Sequence, residues 1–169
     1  TCNYLNNVLA HLETRSYQVA ETLMLTNDGF LAEATTDNLF IAQYENGTPT
    51  LIYPKAEYAL VGLTRNTVIK IARQLGFVTR ESSTLLPHDL VGPNREVFIT
   101  GTACGIMPIK TIDGMNTAAG GQRPLSDKLR EAVQTAMLSD PEIGISVNAT
   151  DEDLKAYMSS PFAVSVDNL

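Results

Sequence analysis

Two short turns in this chain have the residue types to hold an anion. Gly62-Leu63-Thr64-Arg65 opens the strongest helical pattern, and Thr100-Gly101-Thr102-Ala103 follows the apolar run Val97-Phe98-Ile99. A helix N-terminus carries unpaired N–H groups and the positive end of the peptide dipole. With the Thr64 hydroxyl it makes a cup for a phosphate, although an ordinary capped helix would use the same residues. At the second turn, small residues at a strand end let a ligand come close to the backbone. Thr102 adds a hydroxyl, and the turn amides suit a carboxylate or a phosphate; a plain β-turn is the simpler reading. Two such turns in one short chain point to a phosphorylated cofactor together with a substrate carboxylate.

Other side chains join them. Glu33 is either a solvated strand carboxylate or the partner of a cationic ring nitrogen that it keeps protonated. Tyr4 opens the first helical pattern, and either packs as an amphipathic aromatic or lends its hydroxyl to a phenolic oxygen. His11 and His88 have no sequence neighbours that suggest catalysis and read as structural or surface residues. Cys2 and Cys104 lack metal-type spacing and read as small buried residues of a reduced, cytosolic-type compartment.

These residues need a scaffold, and the patterning supplies one. Leu5, Val8, Leu9 and Leu12 predict a helix over 4–16. Strands follow at 19–25, 30–34, 38–42 and 50–53, with turns at Thr26-Asn27-Asp28-Gly29 and Glu45-Asn46-Gly47 and a stop at Pro54. This stretch reads as an antiparallel meander. Val68, Ile69, Ala72 and Leu75 form the apolar face of a helix over 64–75, ended by Gly76. Strands at 77–81, 96–100 and 106–112 are interrupted by a short helix or turn at 85–90. A link at Gly120-Gly121 leads to a last helix over 126–137. The class is α+β with a mixed, mostly antiparallel sheet. Residues 1–138 read as one domain. Residues 139–169 read as an acidic extension, packed or mobile, in which Thr150 and Asp153 cap a short helix over 151–158.

The composition bounds the rest. A chain of 169 residues with 44% hydrophobic and 18% charged residues can bury one core. Its 12 basic residues are outnumbered by 19 acidic ones, giving a net charge of -7. The basic residues form no run, which argues against nucleic acid as a partner. No apolar stretch is long enough for a membrane span, and no signal peptide opens the chain. The expected location is cytoplasmic. The start at Thr1, without Met, reads as that of a fragment.

In their order, these motifs resemble the large domain of the fold-type IV pyridoxal-phosphate enzymes. That family includes branched-chain aminotransferases, D-amino-acid aminotransferases and aminodeoxychorismate lyases. The resemblance rests on Asn3-Tyr4-Leu5-Asn6-Asn7-Val8-Leu9, on Glu33 to Phe40, on Gly62-Leu63-Thr64-Arg65, and on Thr100-Gly101-Thr102-Ala103 with Pro108. It implies a pseudo-barrel with flanking helices and a pyridoxal 5′-phosphate cofactor. Glu33 would pair with the pyridine N1, and Tyr4 would face the 3′ oxygen. Leu63, Thr64 and Thr102 would hold the phosphate. Gly101, Thr102 and Ala103 would receive the substrate carboxylate, and Asn38 would support the Glu33 loop. The family's Schiff-base lysine is absent here and is expected just upstream of Thr1, as is a small N-terminal domain. Lys55, Lys70, Lys110, Lys128 and Lys155 do not stand where it should. The implied activity is transfer of an amino group between an amino acid, first of all a branched-chain L-amino acid, and a 2-oxo acid, in a homodimer. The alternatives are an aminodeoxychorismate lyase, a D-amino-acid transaminase, or a non-catalytic binding protein of the same fold.

Overall fold

The computed structural model describes residues 3–118 and 121–139. The chain divides into two units, 1–134 and 135–169, and apart from the end of the last helix the elements described below lie in the first. The expected helix over 151–158, and the acidic extension beyond residue 139, lie outside the described residues.

Helix α1 (Leu5–Thr14) continues into a 3-10 turn, Arg15–Tyr17. It buries none of its residues: Leu5, Val8, Leu9 and Leu12 are exposed. One link to the sheet region is the Asn7 amide, which donates to the Thr35 carbonyl at 2.7 Å. Strand β1 (Leu23–Leu25) pairs antiparallel with β2 (Leu31–Ala34). The expected strand over 19–25 therefore shrinks to its last three residues. Gln18 is left-handed (φ 54°), and the Glu21 carboxylate binds the Thr22 amide at 2.8 Å and the hydroxyls of Thr35 and Thr36. These side-chain bonds compete with a ladder over 19–22.

The main sheet has five strands in the order β5-β4-β3-β6-β7, with β3 Asn38–Glu45, β4 Thr48–Pro54, β5 Val78–Ser82, β6 Glu96–Gly101 and β7 Gly105–Pro108. Asn46 and Gly47 both adopt positive φ (50° and 80°), the geometry of a two-residue type I′ hairpin. All pairings are antiparallel except β4–β5, which is parallel. A parallel pair needs a crossover, and helix α2 (Leu63–Gln74) is that crossover. Gly76 at φ 84° follows its end as the left-handed C′ residue. The meander is thus only partial, because β1–β2 stands as a separate sheet.

The expected strand over 106–112 divides in two. Its first part is β7; its second, β8 (Thr111–Ile112), pairs with β9 (Met115–Asn116) around Asp113-Gly114. The Ile109 amide still donates to the Val97 carbonyl of β6 at 2.8 Å; beyond it, the Thr117 hydroxyl donates to the Ile109 carbonyl at 2.6 Å and the Thr117 amide to that of Lys110, and the chain leaves the main sheet. The short helix over 85–90 is a 3-10 turn, Pro87–Leu90.

Both faces of the main sheet are covered. On one, Leu39, Ile41, Ile52, Val97 and Ile99 pack with Leu31, Ala34, Leu85 and Leu90. The alternate residues, Phe40, Tyr53 and Phe98, stack as an aromatic row, with Phe40 and Phe98 paired across the strands at 5.2 Å. Arg65 of α2 lies over Tyr53, so α2 covers this face. Helix α3 (Pro124–Ser139) begins two residues earlier than expected. Pro124 has no N–H to satisfy there, and the buried Glu96 carboxylate takes the amides of Leu125 and Ser126 at 3.1 and 2.7 Å.

Candidate active site

The two anion turns meet the sheet at the same end. In the β3–β6 ladder Asn38 stands opposite Thr100. By the two-residue alternation both belong to the face covered by α2. The Asn38 side chain is buried, and its Nδ2 donates to Glu33 Oε2 at 3.1 Å and to the Leu60 carbonyl at 2.8 Å. Its Oδ1 lies against Gly62, where a Cβ would come within 2.5 Å of it. Glu33, Asn38 and the first anion turn are therefore locked together. The expectation that Asn38 supports the Glu33 loop matches this geometry.

Glu33 is half-buried at the end of β2. Its Oε2 accepts from Asn38 and from the Leu60 amide at 2.8 Å. No hydrogen bond among the described residues engages Oε1. Burial pushes the carboxyl pKa above the usual range, against the Leu60 hydrogen bond and the charge of Arg65. A half-buried carboxylate with one free oxygen is a receptor for a cation or an N–H donor.

The first turn is an uncapped helix end. Gly62 takes the N-cap place in extended conformation (φ -67°, ψ 148°) and provides no side-chain cap. Thr64 sits inside the helix and does not cap it. Among the described residues neither its hydroxyl nor the amides of Leu63, Thr64 and Arg65 have a hydrogen-bond partner. Leu63 is 85% exposed, so its contribution here is its backbone.

The second turn connects β6 to β7 through Thr102, Ala103 and Cys104, closing on the Gly101–Gly105 pair with Gly105 at φ 63°. This is the three-residue hairpin that places a left-handed glycine after the turn. Thr102 and Ala103 are exposed, and no hydrogen bond among the described residues takes up the amides of Thr102 to Cys104. One residue before Gly101, the Thr100 hydroxyl is buried with no hydrogen-bond partner among the described residues. Such an orphaned polar atom is uncommon in a folded interior.

Tyr4 is exposed at the N-cap place of α1 and makes no hydrogen bond to Glu33, Thr64 or Thr102. Lys55 pairs with Glu57 at 2.8 Å, Lys128 lies 6.0 Å from the Phe77 ring, and Lys155 lies outside the described residues. His11 and His88 are exposed, in keeping with a surface reading. Cys104 is a free, half-buried thiol, and Cys2 lies outside the described residues.

The motif reading missed the roles of Arg65 and Asp37. Arg65 is 5% exposed, stacks 4.9 Å above the Tyr53 ring, and pairs with Glu81 at 3.1 Å. Its place within the first turn was the available signal; what stays hidden in sequence is the remote pair of partners. Among the described residues no group of three or more His, Cys, Asp or Glu side chains forms a metal site, and no helix is long and apolar enough to cross a membrane.

The fold that carries these residues is similar to that of known enzymes. A family model described as amino-transferase class IV matches residues 1–112, and the chain belongs to that family. It is 42% identical over 135 residues to a putative branched-chain-amino-acid aminotransferase of Methanocaldococcus jannaschii, covering 76% of this chain and 43% of the relative. It is 35% identical over 130 residues to the branched-chain-amino-acid aminotransferase of Pseudomonas aeruginosa, covering 76% of this chain and 40% of the relative. Among solved structures, the Escherichia coli branched-chain amino acid aminotransferase superposes with a TM-score of 0.68 at 30% identity, over 86% of this chain and 46% of that one. Another branched-chain amino acid aminotransferase, from T.th. and solved with pyridoxamine 5′-phosphate, does so with 0.72 at 31% identity, over 83% and 45%. The chain thus spans less than half the length of the relatives it matches.

Proposed function

We propose that this chain is the cofactor-binding part of a pyridoxal-phosphate aminotransferase that moves an amino group from a branched-chain L-amino acid to a 2-oxo acid. One observation carries the reading. Glu33, with a free oxygen, is locked by Asn38 to a helix end whose amides and Thr64 hydroxyl are unpaired among the described residues. A ligand with a ring N–H at one place and a phosphate at another suits that pairing of groups. The names of the relatives support the branched-chain substrate.

The residues present fit the cofactor. The N-terminus of α2 offers unpaired donors of the kind a phosphate dianion needs, and the orphaned Thr100 hydroxyl leaves polar capacity beside the second turn. When bound, pyridoxal 5′-phosphate supplies an electron-withdrawing ring that accepts the electron pair released at the amino acid's Cα. Glu33 holds the proton on the pyridine nitrogen. Its own burial cost would fall on binding such a cation, since an opposite charge favours the ionised carboxylate. Leu63 and Thr64 hold the phosphate through backbone and hydroxyl, and Thr102 reaches the same group. Gly101, Thr102 and Ala103 receive the substrate carboxylate through the turn backbone. Tyr4 serves the 3′ oxygen. The proton on Cα would be moved by a lysine that the family resemblance implies just upstream of Thr1; the same resemblance implies a small N-terminal domain and a homodimer.

The test separates binding from turnover. Pyridoxamine 5′-phosphate needs no lysine, so its titration into the protein reads the site alone. Saturable binding is expected, in competition with inorganic phosphate, and weakened roughly tenfold by T64A or E33Q, the loss of about one hydrogen bond to a charged group. Absence of saturable binding refutes the reading. With the lysine-bearing polypeptide, L-leucine and a 2-oxo acid should exchange the amino group.

A further inference from the structure

The segment that carries Glu33 and Asn38 also carries an acidic residue with no place in the reading so far. Asp37 precedes Asn38, and its carboxylate reaches the opposite turn. Its Oδ1 accepts from the Cys104 thiol at 3.3 Å, and its Oδ2 accepts from the Thr36 hydroxyl at 3.1 Å. The same Oδ1 lies so close to Gly101 that an added Cβ would collide with it. Gly101 does not need its glycine for a left-handed backbone; it needs it to leave room for Asp37. The Asp37 carbonyl is tied back to the Ala34 amide at 2.8 Å, so the carboxylate is delivered from a closed turn.

The neighbours of Asp37 and of Asn38 divide the site in two. Asn38 reaches Gly62 and sets the helix end; Asp37 reaches Gly101 and Cys104 and sets the hairpin. Each side chain meets a glycine whose missing Cβ makes the approach possible. The hairpin has few other anchors: Thr102 and Ala103 are exposed, and the Cys104 thiol is its side-chain link to the rest of the fold. The thiol remains a donor across the physiological range, since burial, and then the Asp37 carboxylate, push its pKa up to about 11.

We propose that Asp37 is a positioning residue for the substrate carboxylate. Through the Cys104 thiol and the open side of Gly101 it fixes the direction of the Thr102 and Ala103 amides, without itself touching substrate or cofactor. The proposal rests on the reading of the second turn as the carboxylate receiver. It assigns the two halves of Asp37-Asn38 to two ligands: Asn38 to the cofactor and Asp37 to the amino acid or 2-oxo acid.

Four variants of the lysine-bearing holoenzyme test it, each measured for pyridoxamine 5′-phosphate affinity, for affinity toward the unreactive carboxylate 4-methylvalerate, and for KM and kcat with a 2-oxo acid. C104A and D37A should weaken 4-methylvalerate binding and raise KM about tenfold, the weight of one hydrogen bond, with kcat and cofactor affinity changing less than KM, since Leu63 and Thr64 still hold the phosphate. C104S, whose hydroxyl still donates, and D37N, whose amide oxygen still accepts, should stay within about threefold of the parent. A merely structural role would lower cofactor affinity and kcat together and would not be rescued by C104S. Either that pattern, or unchanged carboxylate affinity in C104A and D37A, overturns the proposal. If the parent protein fails to bind pyridoxamine 5′-phosphate, the cofactor reading falls and this inference with it. If it binds and only the carboxylate arms are flat, the inference alone falls.

Discussion

Replacing Gly62 by alanine should disturb the site without disturbing the backbone. Gly62 has φ -67° and ψ 148°, ordinary extended geometry that alanine adopts freely. Taken alone, the change should stabilise by about 0.4–1 kcal/mol, by restricting the unfolded chain. Space decides otherwise. The new Cβ would stand 2.5 Å from Asn38 Oδ1, so Asn38 must withdraw. Its Nδ2 then loses Glu33 at 3.1 Å and the Leu60 carbonyl at 2.8 Å. A hydrogen bond to a charged group is worth about 1.5–3 kcal/mol and a neutral one about 0.5–1.5 kcal/mol. Half-exposed Glu33 places the first toward its lower bound. The net cost is about 2 kcal/mol, read as a lower urea midpoint at constant slope. The same substitution in an N38A background meets no Oδ1 and should be neutral or slightly stabilising. The cycle should therefore show a coupling of about 2 kcal/mol between residues in contact. Refutation is simple: G62A costing under about 0.5 kcal/mol, or costing as much in N38A as in the parent, would mean that Asn38 is not what Gly62 makes room for.

Other outcomes can be checked with the same preparations. E96A should cost about 3 kcal/mol in urea unfolding, because three donors at the start of α3, the amides of Leu125 and Ser126 and the Ser126 hydroxyl, lose one buried acceptor. Burial raises the Glu21 pKa, but hydrogen bonds from Thr35, Thr22 and Thr36 outweigh it and hold the folded value below 4.5. That stabilisation is present above the unfolded pKa and lost as pH falls through the folded one, so E21Q should flatten the decline in urea midpoint from about pH 6 to about pH 3. Glu33 has the opposite sign: burial raises its folded pKa, and the cofactor-free protein loses stability as pH rises toward that value. E33Q should thus raise the urea midpoint at neutral pH while weakening pyridoxamine 5′-phosphate binding, and a lowered midpoint would contradict the burial argument. In a C2S background, iodoacetamide should alkylate Cys104 at pH 8 roughly a hundredfold more slowly than a free thiol, given a pKa pushed up to about 11, and D37A should accelerate it.

Much of the fold was legible because it follows local rules. The Asn46-Gly47 hairpin, the apolar face of α2 and the Gly76 stop each depend on residues within a few positions. The errors arose where side chains from elsewhere in the fold intervene. Glu21 takes the Thr35 and Thr36 hydroxyls and ends the ladder before residue 23, and Thr117 takes up the carbonyls of Ile109 and Lys110 where the chain leaves β7. The helix over 126–137 starts earlier because Glu96, distant in sequence, reaches its N-terminus. At the candidate site, the proposed roles of Glu33, Thr64 and Thr102 rest on residue type and order. The reason for Gly62 and Gly101 was not readable in this way, since Gly62 answers to the Asn38 side chain, distant in sequence, and Gly101 to Asp37, which the β3–β6 register brings near.

That register also governs how the site comes into being. Asn38 and Thr100 are partners across a ladder that joins distant parts of the chain. The hairpins β3–β4 and β6–β7 close over short loops and can form early, whereas the β3–β6 pairing bears a long loop-closure entropy. Until it zips, Glu33 with the α2 end and the Gly101 hairpin are separate pieces. A ligand that bridges both turns therefore has affinity only for chains past that step. It should slow unfolding more than it speeds folding, and it should raise the apparent stability in proportion to the logarithm of its concentration.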